Sequence, residues 1–274
     1  MTNQLPVYRV RARNTSVESE NKIHDDRVAA DYGFRGGLVP GVTVYAYMTV
    51  PIVEEFGLAW LERGSIQVKF HQPFYEGDEV AVYAEVDRES EPVRIAVRAE
   101  RDDGTVSVTA LATIGDRTDW LGEARVESYP QATLPEYETR PAATRAAIVT
   151  GAPLGTLKEK IDLADRTQLE ALDERLDIYY GAGAVAHPFI LLGLANKVLM
   201  HNFRLGPWIH AASDLINRSV ARDGDEISVR GRIADCFERK GHEFIVLDLL
   251  LVADESRVVE QVRHTAIYRP RVKN

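Results

Sequence analysis

Between Val93 and Ala99 the chain alternates: Val93, Ile95, Val97 and Ala99 are apolar, while Arg94, Arg98 and Glu100 fall on the other parity. A period of two predicts a half-buried strand. An Asp103-Gly104 pair follows, a combination suited to a tight hairpin, and residues 105–114 predict the return strand. Residues 242–253 and 257–270 repeat this hairpin pattern with a more apolar composition. Two other stretches, 41–57 and 187–203, stay apolar for longer than an ordinary strand and predict helices. Pro51 lies inside the first of them, where its missing N–H predicts a bend or a break near Val50. Residues 116–156 hold Pro130, Pro135, Pro141 and Pro153 with few apolar runs, the pattern of a linker or irregular covering segment.

The same order of elements occurs twice. The turn EGDEVAV at residues 76–82 has a near copy, DGDEISV, at 223–229, with Gly77 and Gly224 147 positions apart (224 − 77). The same offset carries Gly41 onto Pro188, where the second apolar helix begins. A repeat of this length predicts a duplicated domain rather than a short-repeat solenoid. Each copy reads as one long helix gripped by an antiparallel sheet, so the predicted fold is α+β: two tandem hotdog folds, a double hotdog. The expected division is an N-terminal hotdog over 1–116, a linker over 117–156 and a C-terminal hotdog over 157–274. In that arrangement each sheet buries one face on its own helix, and the partner copy supplies the other wall of a ligand cleft.

Composition narrows the function classes. A formal charge of −9 argues against a nucleic-acid partner, which needs a positive surface, but leaves room for a local basic patch meeting a phosphate-bearing ligand such as coenzyme A. Lys69, Arg218, Arg222 and Arg239 are the candidates, each equally readable as a solvated strand residue. The single cysteine, Cys236, excludes an intramolecular disulfide. No apolar run reaches the roughly 20 residues of a membrane-spanning helix, and residues 1–14 lack a secretory apolar core, so a cytoplasmic protein without membrane contact is expected. His71, His201, His210, His242 and His264 show no metal-ligand spacing, and no phosphate loop or nucleophile elbow is present; no metal and no cofactor are expected.

The chemistry-bearing stretch is SVESENKIHDDRVAADYGFRGGLVPG, residues 16–41. His24 stands three residues after Asn21, and Gly36, Gly37 and Gly41 lead into the first apolar helix. An imidazole with a pKa of about 6.5 suits proton transfer near neutral pH. A helix N-terminus offers N–H groups and a favourable dipole to a developing oxyanion. Pro40 costs little there, because the first-turn N–H groups have no partner in the helix. The bland alternative is a short surface helix capped by Asn21, with Asp25 and Asp26 favouring its dipole.

On these residues the chain resembles the MaoC-like hydratase/dehydratase family, which includes the (R)-specific enoyl-CoA hydratases. The family signature runs Asp-x-Asn-Pro-x-His, then an alanine-containing turn, Gly-Phe and a closing His-Gly. SENKIH supplies Asn21 and His24, Ala29 or Ala30 fits the turn, Gly33-Phe34 the pair, and Gly41 the final glycine. Ser19 stands where the family has its catalytic aspartate, Lys22 where it has proline, and Pro40 where it has the closing histidine. Glu18 and Glu20 flank Ser19 as possible carboxylate sources.

The resemblance implies hydration or dehydration of an acyl-CoA thioester in fatty acid metabolism, with coenzyme A as part of the substrate. In that reading His24 transfers the proton, Asn21 orients it, Ser19 holds the water, and N–H groups near Gly36, Gly37 and Gly41 meet the thioester oxygen. His187, the second-half counterpart of Pro40, and Tyr180 are candidate pocket residues, and the alternative for His187 is a helix-start histidine with a packing role. With no Asn-x-x-His in the second half, the acid/base should come from the first half and the acyl pocket from the second. The rival expectations are an acyl-CoA-binding protein without turnover and, last, a hotdog thioesterase using Glu54 or Glu55. Exposed sheet edges make a homodimer or other homo-oligomer an expectation too.

Overall fold

The computed structural model describes residues 2–115 and 120–272. Among the described residues, eleven strands form one antiparallel sheet: β1 (Thr2–Gln4), β2 (Tyr8–Arg11), β3 (Ser65–Phe70), β4 (Glu79–Asp87), β5 (Val93–Arg101), β6 (Val106–Ile114), β7 (Pro153–Lys160), β8 (Ile209–Asn217), β9 (Glu226–Arg239), β10 (His242–Ala253) and β11 (Arg257–Arg269). The helices are α1 (Asp26–Asp31), α2 (Gly41–Phe56), α3 (Leu58–Arg63), α4 (Thr167–Ala171) and α5 (Pro188–Asn202).

The strand order is β1-β4-β5-β6-β3-β8-β11-β10-β9-β7, with β2 also on β4. Read outward from the centre, β3-β6-β5-β4 and β8-β11-β10-β9 are the same four-strand unit. They meet edge to edge where Ser65 pairs with Ile216 and Lys69 with Ala212. The repeated turns match atom for atom. Asp78 Oδ2 accepts from the Tyr75 N–H at 3.1 Å and Asp225 Oδ2 from the Arg222 N–H at 2.8 Å. Gly77 and Gly224 both adopt positive φ, +80° and +85°, which glycine takes without steric cost.

The two long helices lie side by side, α2 packing on β4 and β5 and α5 on β7, β9 and β11. Every residue of α2 from Thr43 to Val53 is buried, which is why its sequence shows no polar stripe. Of the bend or break expected at Pro51, the break does not occur: α2 runs unbroken from Gly41 to Phe56, with Pro51 inside its buried stretch.

The alternation in β5 is borne out, with Ile95, Val97 and Ala99 buried and Arg94 exposed. The segment read as a linker is irregular over 120–152 apart from two short 3-10 turns. It gives way to β7 at Pro153 rather than after Thr156, because Leu154 and Leu157 are buried as β7 pairs with β9. The expected boundary between residues 116 and 117 lies outside the described residues.

Candidate functional site

A cleft of about 230 Å³ opens at the N-terminus of α2, between the two halves. Its apolar wall includes Phe34, Val44, Phe70, Phe74 and Trp208. Its polar side chains include Asn21, His24, His71, His210 and His242, and among the described residues lining it there is no carboxylate, lysine or arginine.

His24 ends a one-turn 3-10 helix, Lys22–His24, that Asn21 caps. Its Nδ1 lies 2.6 Å from the Leu38 carbonyl oxygen. A carbonyl only accepts, so Nδ1 carries the proton and Nε2 is left with its lone pair. Asn21 Nδ2 points at that Nε2 from 3.3 Å and also donates to the Trp208 carbonyl at 3.0 Å. Asn21 Oδ1 accepts from the Trp208 N–H at 3.1 Å, so the buried amide is clamped to the second half by two bonds to one residue. Burial holds His24 below the ordinary imidazole range, opposed by the Leu38 carbonyl, and its neutral, proton-accepting form is favoured at pH 7.

The expected oxyanion donors divide. Gly41 lines the cleft as the first residue of α2, where an N–H has no acceptor within the helix. Gly36 and Gly37 do not line it, a correction with a clear cause: Asp26 Oδ1 takes the Gly37 N–H at 2.7 Å and stands 3.1 Å from where a Gly36 Cβ would lie. A thioester oxygen would be repelled by that carboxylate. Gly37 serves the backbone instead, since a Cβ there would sit 2.1 Å from the His24 carbonyl oxygen.

Ser19 is also corrected. It does not line the cleft, and its hydroxyl donates to the Asn21 carbonyl at 3.3 Å. The flanking acids do not replace it. Glu20 is bound by Arg140, at 2.5 Å, and by the Tyr137 hydroxyl, and Glu18 is exposed. Glu54 and Glu55 are exposed at the far end of α2, Glu55 paired with Arg88. Lys69, Arg218, Arg222 and Arg239 stand away from the lining too.

His187 and Tyr180 belong elsewhere. His187 caps α5, its Nδ1 accepting from the Phe189 N–H at 3.1 Å and its Nε2–H donating to Glu174 Oε2 at 3.1 Å. It is buried between the rings of Tyr179 and Phe189, with centroids 4.4 and 5.0 Å away. The Tyr180 hydroxyl donates to the Glu174 carbonyl. Neither residue lines the cleft, and for His187 the helix-start, packing alternative is the one that matches its place in the structure.

The sequence reading missed His210, which lines the cleft from β8. Its Nε2 is 2.8 Å from Ser213 Oγ, and that oxygen is 3.0 Å from His264 Nδ1. One signal was present: in β11 the parity that buries Val262 and Ala266 buries His264 as well.

No family model matches the chain, and no curated protein matches it in sequence. Solved structures do. A MaoC domain protein from Chloroflexus aurantiacus, provisionally assigned as a dehydratase, superposes with a TM-score of 0.71 at 12% identity, covering 99% of this chain and 95% of its own. A Mycobacterium tuberculosis protein described as a double hotdog gives 0.66 at 14%, covering 97% and 96%. A Lactobacillus plantarum protein provisionally assigned as an oleoyl thioesterase gives 0.53 at 11%, covering 98% of each. By fold the chain is a double hotdog, of the kind found in MaoC-like dehydratases.

Proposed function

We propose that the protein adds water to, or removes it from, an acyl thioester, interconverting enoyl-CoA and 3-hydroxyacyl-CoA in the cleft at the start of α2. The observation that carries this reading is His24: its tautomer is set by the Leu38 carbonyl, which leaves on Nε2 a lone pair that meets only the long, 3.3 Å contact from Asn21 Nδ2, in a cleft at a helix N-terminus. In the dehydration direction Nε2 takes a proton from the carbon next to the thioester carbonyl. The electron pair moves onto the carbonyl oxygen, where the Gly41 N–H and the helix dipole stabilise it. As the pair returns, the double bond forms and the 3-hydroxyl leaves, taking the proton from His24 to depart as water. Hydration is the reverse, and one imidazole serves both halves of the step. Asn21 holds the ring, and the aromatic wall receives the acyl chain.

A second reading, thioester binding without turnover, is favoured by one feature, the absence of a carboxylate among the described lining residues. The same feature disfavours thioester hydrolysis by a carboxylate-activated water.

The test is a panel of short- to medium-chain trans-2-enoyl-CoA thioesters with native protein and His24→Ala in parallel. Formation of the 3-hydroxyacyl thioester by the native protein and its loss in the variant is the expected result. Binding without turnover moves the conclusion to the second reading, and release of free coenzyme A to hydrolysis.

A further inference from the structure

The buried chain behind the cleft has a direction. His210 packs between Phe70 and His264, with ring centroids 4.7 and 4.4 Å away, and its ring is seated against the first residue of α2: a Cβ on Gly41 would lie 2.7 Å from Nδ1. Burial and the neighbouring His264 hold His210 well below the ordinary imidazole range, weakly opposed by the Ala212 carbonyl, and burial pushes His264 down to about 3. Both rings are therefore neutral, each with one N–H, and Ser213 Oγ links His210 Nε2 to His264 Nδ1.

Two proton arrangements satisfy that link. In one, His210 Nε2–H donates to Ser213 and the serine donates to His264, which leaves the proton of His264 on Nε2, a buried atom with no partner. In the other, His264 Nδ1–H donates to Ser213, Ser213 donates to His210 Nε2, and the orphan at His264 Nε2 is only a lone pair. Each arrangement leaves one buried N–H without a partner, on His264 Nε2 in the first and on His210 Nδ1 in the second, but of the two rings only His210 lines the cleft, where a bound group can accept from it, so the second arrangement is favoured. It puts the His210 proton on Nδ1, itself buried and without a hydrogen-bond partner of good geometry, beside the N-terminus of α2.

We propose that His210 is a second catalytic residue of this cleft: its neutral Nδ1–H hydrogen-bonds the thioester oxygen next to the Gly41 N–H, with Ser213 and His264 as positioning residues that hold the tautomer. The assignment rests on the acyl-thioester reading of the cleft. A neutral imidazole serves well as such a donor, because it polarises a carbonyl without surrendering its own proton. It also explains why the second half, which lacks the Asn-x-x-His motif, still faces the site through β8.

Two measurements test it. In the free native protein, histidine ring ¹⁵N resonances, assigned against His210→Gln, should show His210 protonated on Nδ1 and bare on Nε2. The opposite tautomer overturns the proposal, with no dependence on turnover. Next, butyryl-CoA labelled with ¹³C at the carbonyl, which cannot be hydrated, is bound to the native protein and to His210→Phe, a ring-for-ring change that keeps the packing on Phe70. The native complex should show a carbonyl stretch shifted to lower frequency that His210→Phe abolishes, with enoyl-CoA turnover down about 10²–10³-fold, the scale of losing one oxyanion donor. Ser213→Ala should reduce the shift and Ser213→Thr restore it. A shifted carbonyl without hydration sustains His210 while ending the hydratase reading. Hydration with the same carbonyl frequency in native and His210→Phe overturns His210 alone. Failure to bind butyryl-CoA overturns both.

Discussion

Each half of the molecule sets a histidine before its long helix, and the two are wired in opposite senses. His24 donates from Nδ1 to a carbonyl and turns an Nε2 lone pair toward a cleft. His187 accepts at Nδ1 from the helix it caps and donates from Nε2 to Glu174. The carboxylate–imidazole pair expected of an acid/base site is thus complete in the half where the imidazole is sealed, and absent where it lines a cleft. Glu174 is buried, which opposes ionisation. The hydrogen bonds from His187 and from the Leu176 and Arg175 N–H groups nevertheless carry its carboxyl below the usual range. That pairing is a structural brace. Proximity of histidine and carboxylate does not identify a site; an imidazole that lines a cavity is the better sign.

The sharpest way to break this contrast is to delete each imidazole. His24→Ala should lower turnover by about 10²–10⁴-fold, the usual worth of a positioned acid/base, with the melting temperature little changed. His187→Ala should do the reverse, costing about 3–5 kcal/mol of stability because it strands a buried carboxylate, while the folded fraction keeps its turnover. Parallel kinetics and chemical denaturation read both, and a kinetic loss in His187→Ala without loss of stability would sink the brace assignment.

Next in size is Gly41→Ala, whose Cβ would fall 2.7 Å from His210 Nδ1. A displacement of several tenths of an ångström at the reacting centre should cost about tenfold or more in turnover, against a helix-propensity gain of at most about 1 kcal/mol. An unchanged rate constant would show that the close approach has no bearing on the reaction.

pH sharpens the comparison further. His24, His187, His210 and His264 are all held below their ordinary pKa by burial, so the unfolded chain binds more protons than the native one below about pH 6.5. Stability should therefore fall as pH drops through that point. Glu260, buried and raised to about 8, acts in the opposite direction, losing stability as pH rises from its unfolded value toward 8, but stands against several histidines. Denaturation midpoints between pH 7 and 5 test the sign. The acid limb of turnover should also lie below about 6.5, because His24 works in its neutral form.

The smallest effect belongs to Ser19→Ala. Ser19 does not line the cleft and its hydroxyl makes one 3.3 Å bond to the Asn21 carbonyl, so stability within about 0.5 kcal/mol of native and unchanged turnover are expected. A large kinetic loss would return Ser19 to the site.

The double hotdog, its duplicated turns and both long helices could be read from the sequence, because period-two alternation, helix-length apolar runs and Gly-Asp turns are local consequences of covalent geometry. Asn21, His24 and Gly41 were singled out because they match a family signature confined to one short segment around a helix start, and all three line the cleft. Gly36 and Gly37 looked equally suitable, since nothing in the chain order shows that Asp26 folds back onto the Gly37 N–H. Ser19 was read into the site by position, and its side chain turns to the Asn21 carbonyl instead. The tertiary structure alone decided which histidine faces a cleft, which of its ring nitrogens carries the proton, and that His210, Ser213 and His264 stand in line behind it. Those outcomes depend on the meeting of β8 with β3 and of Trp208 with Asn21, contacts between residues far apart in the chain, and no local period encodes them.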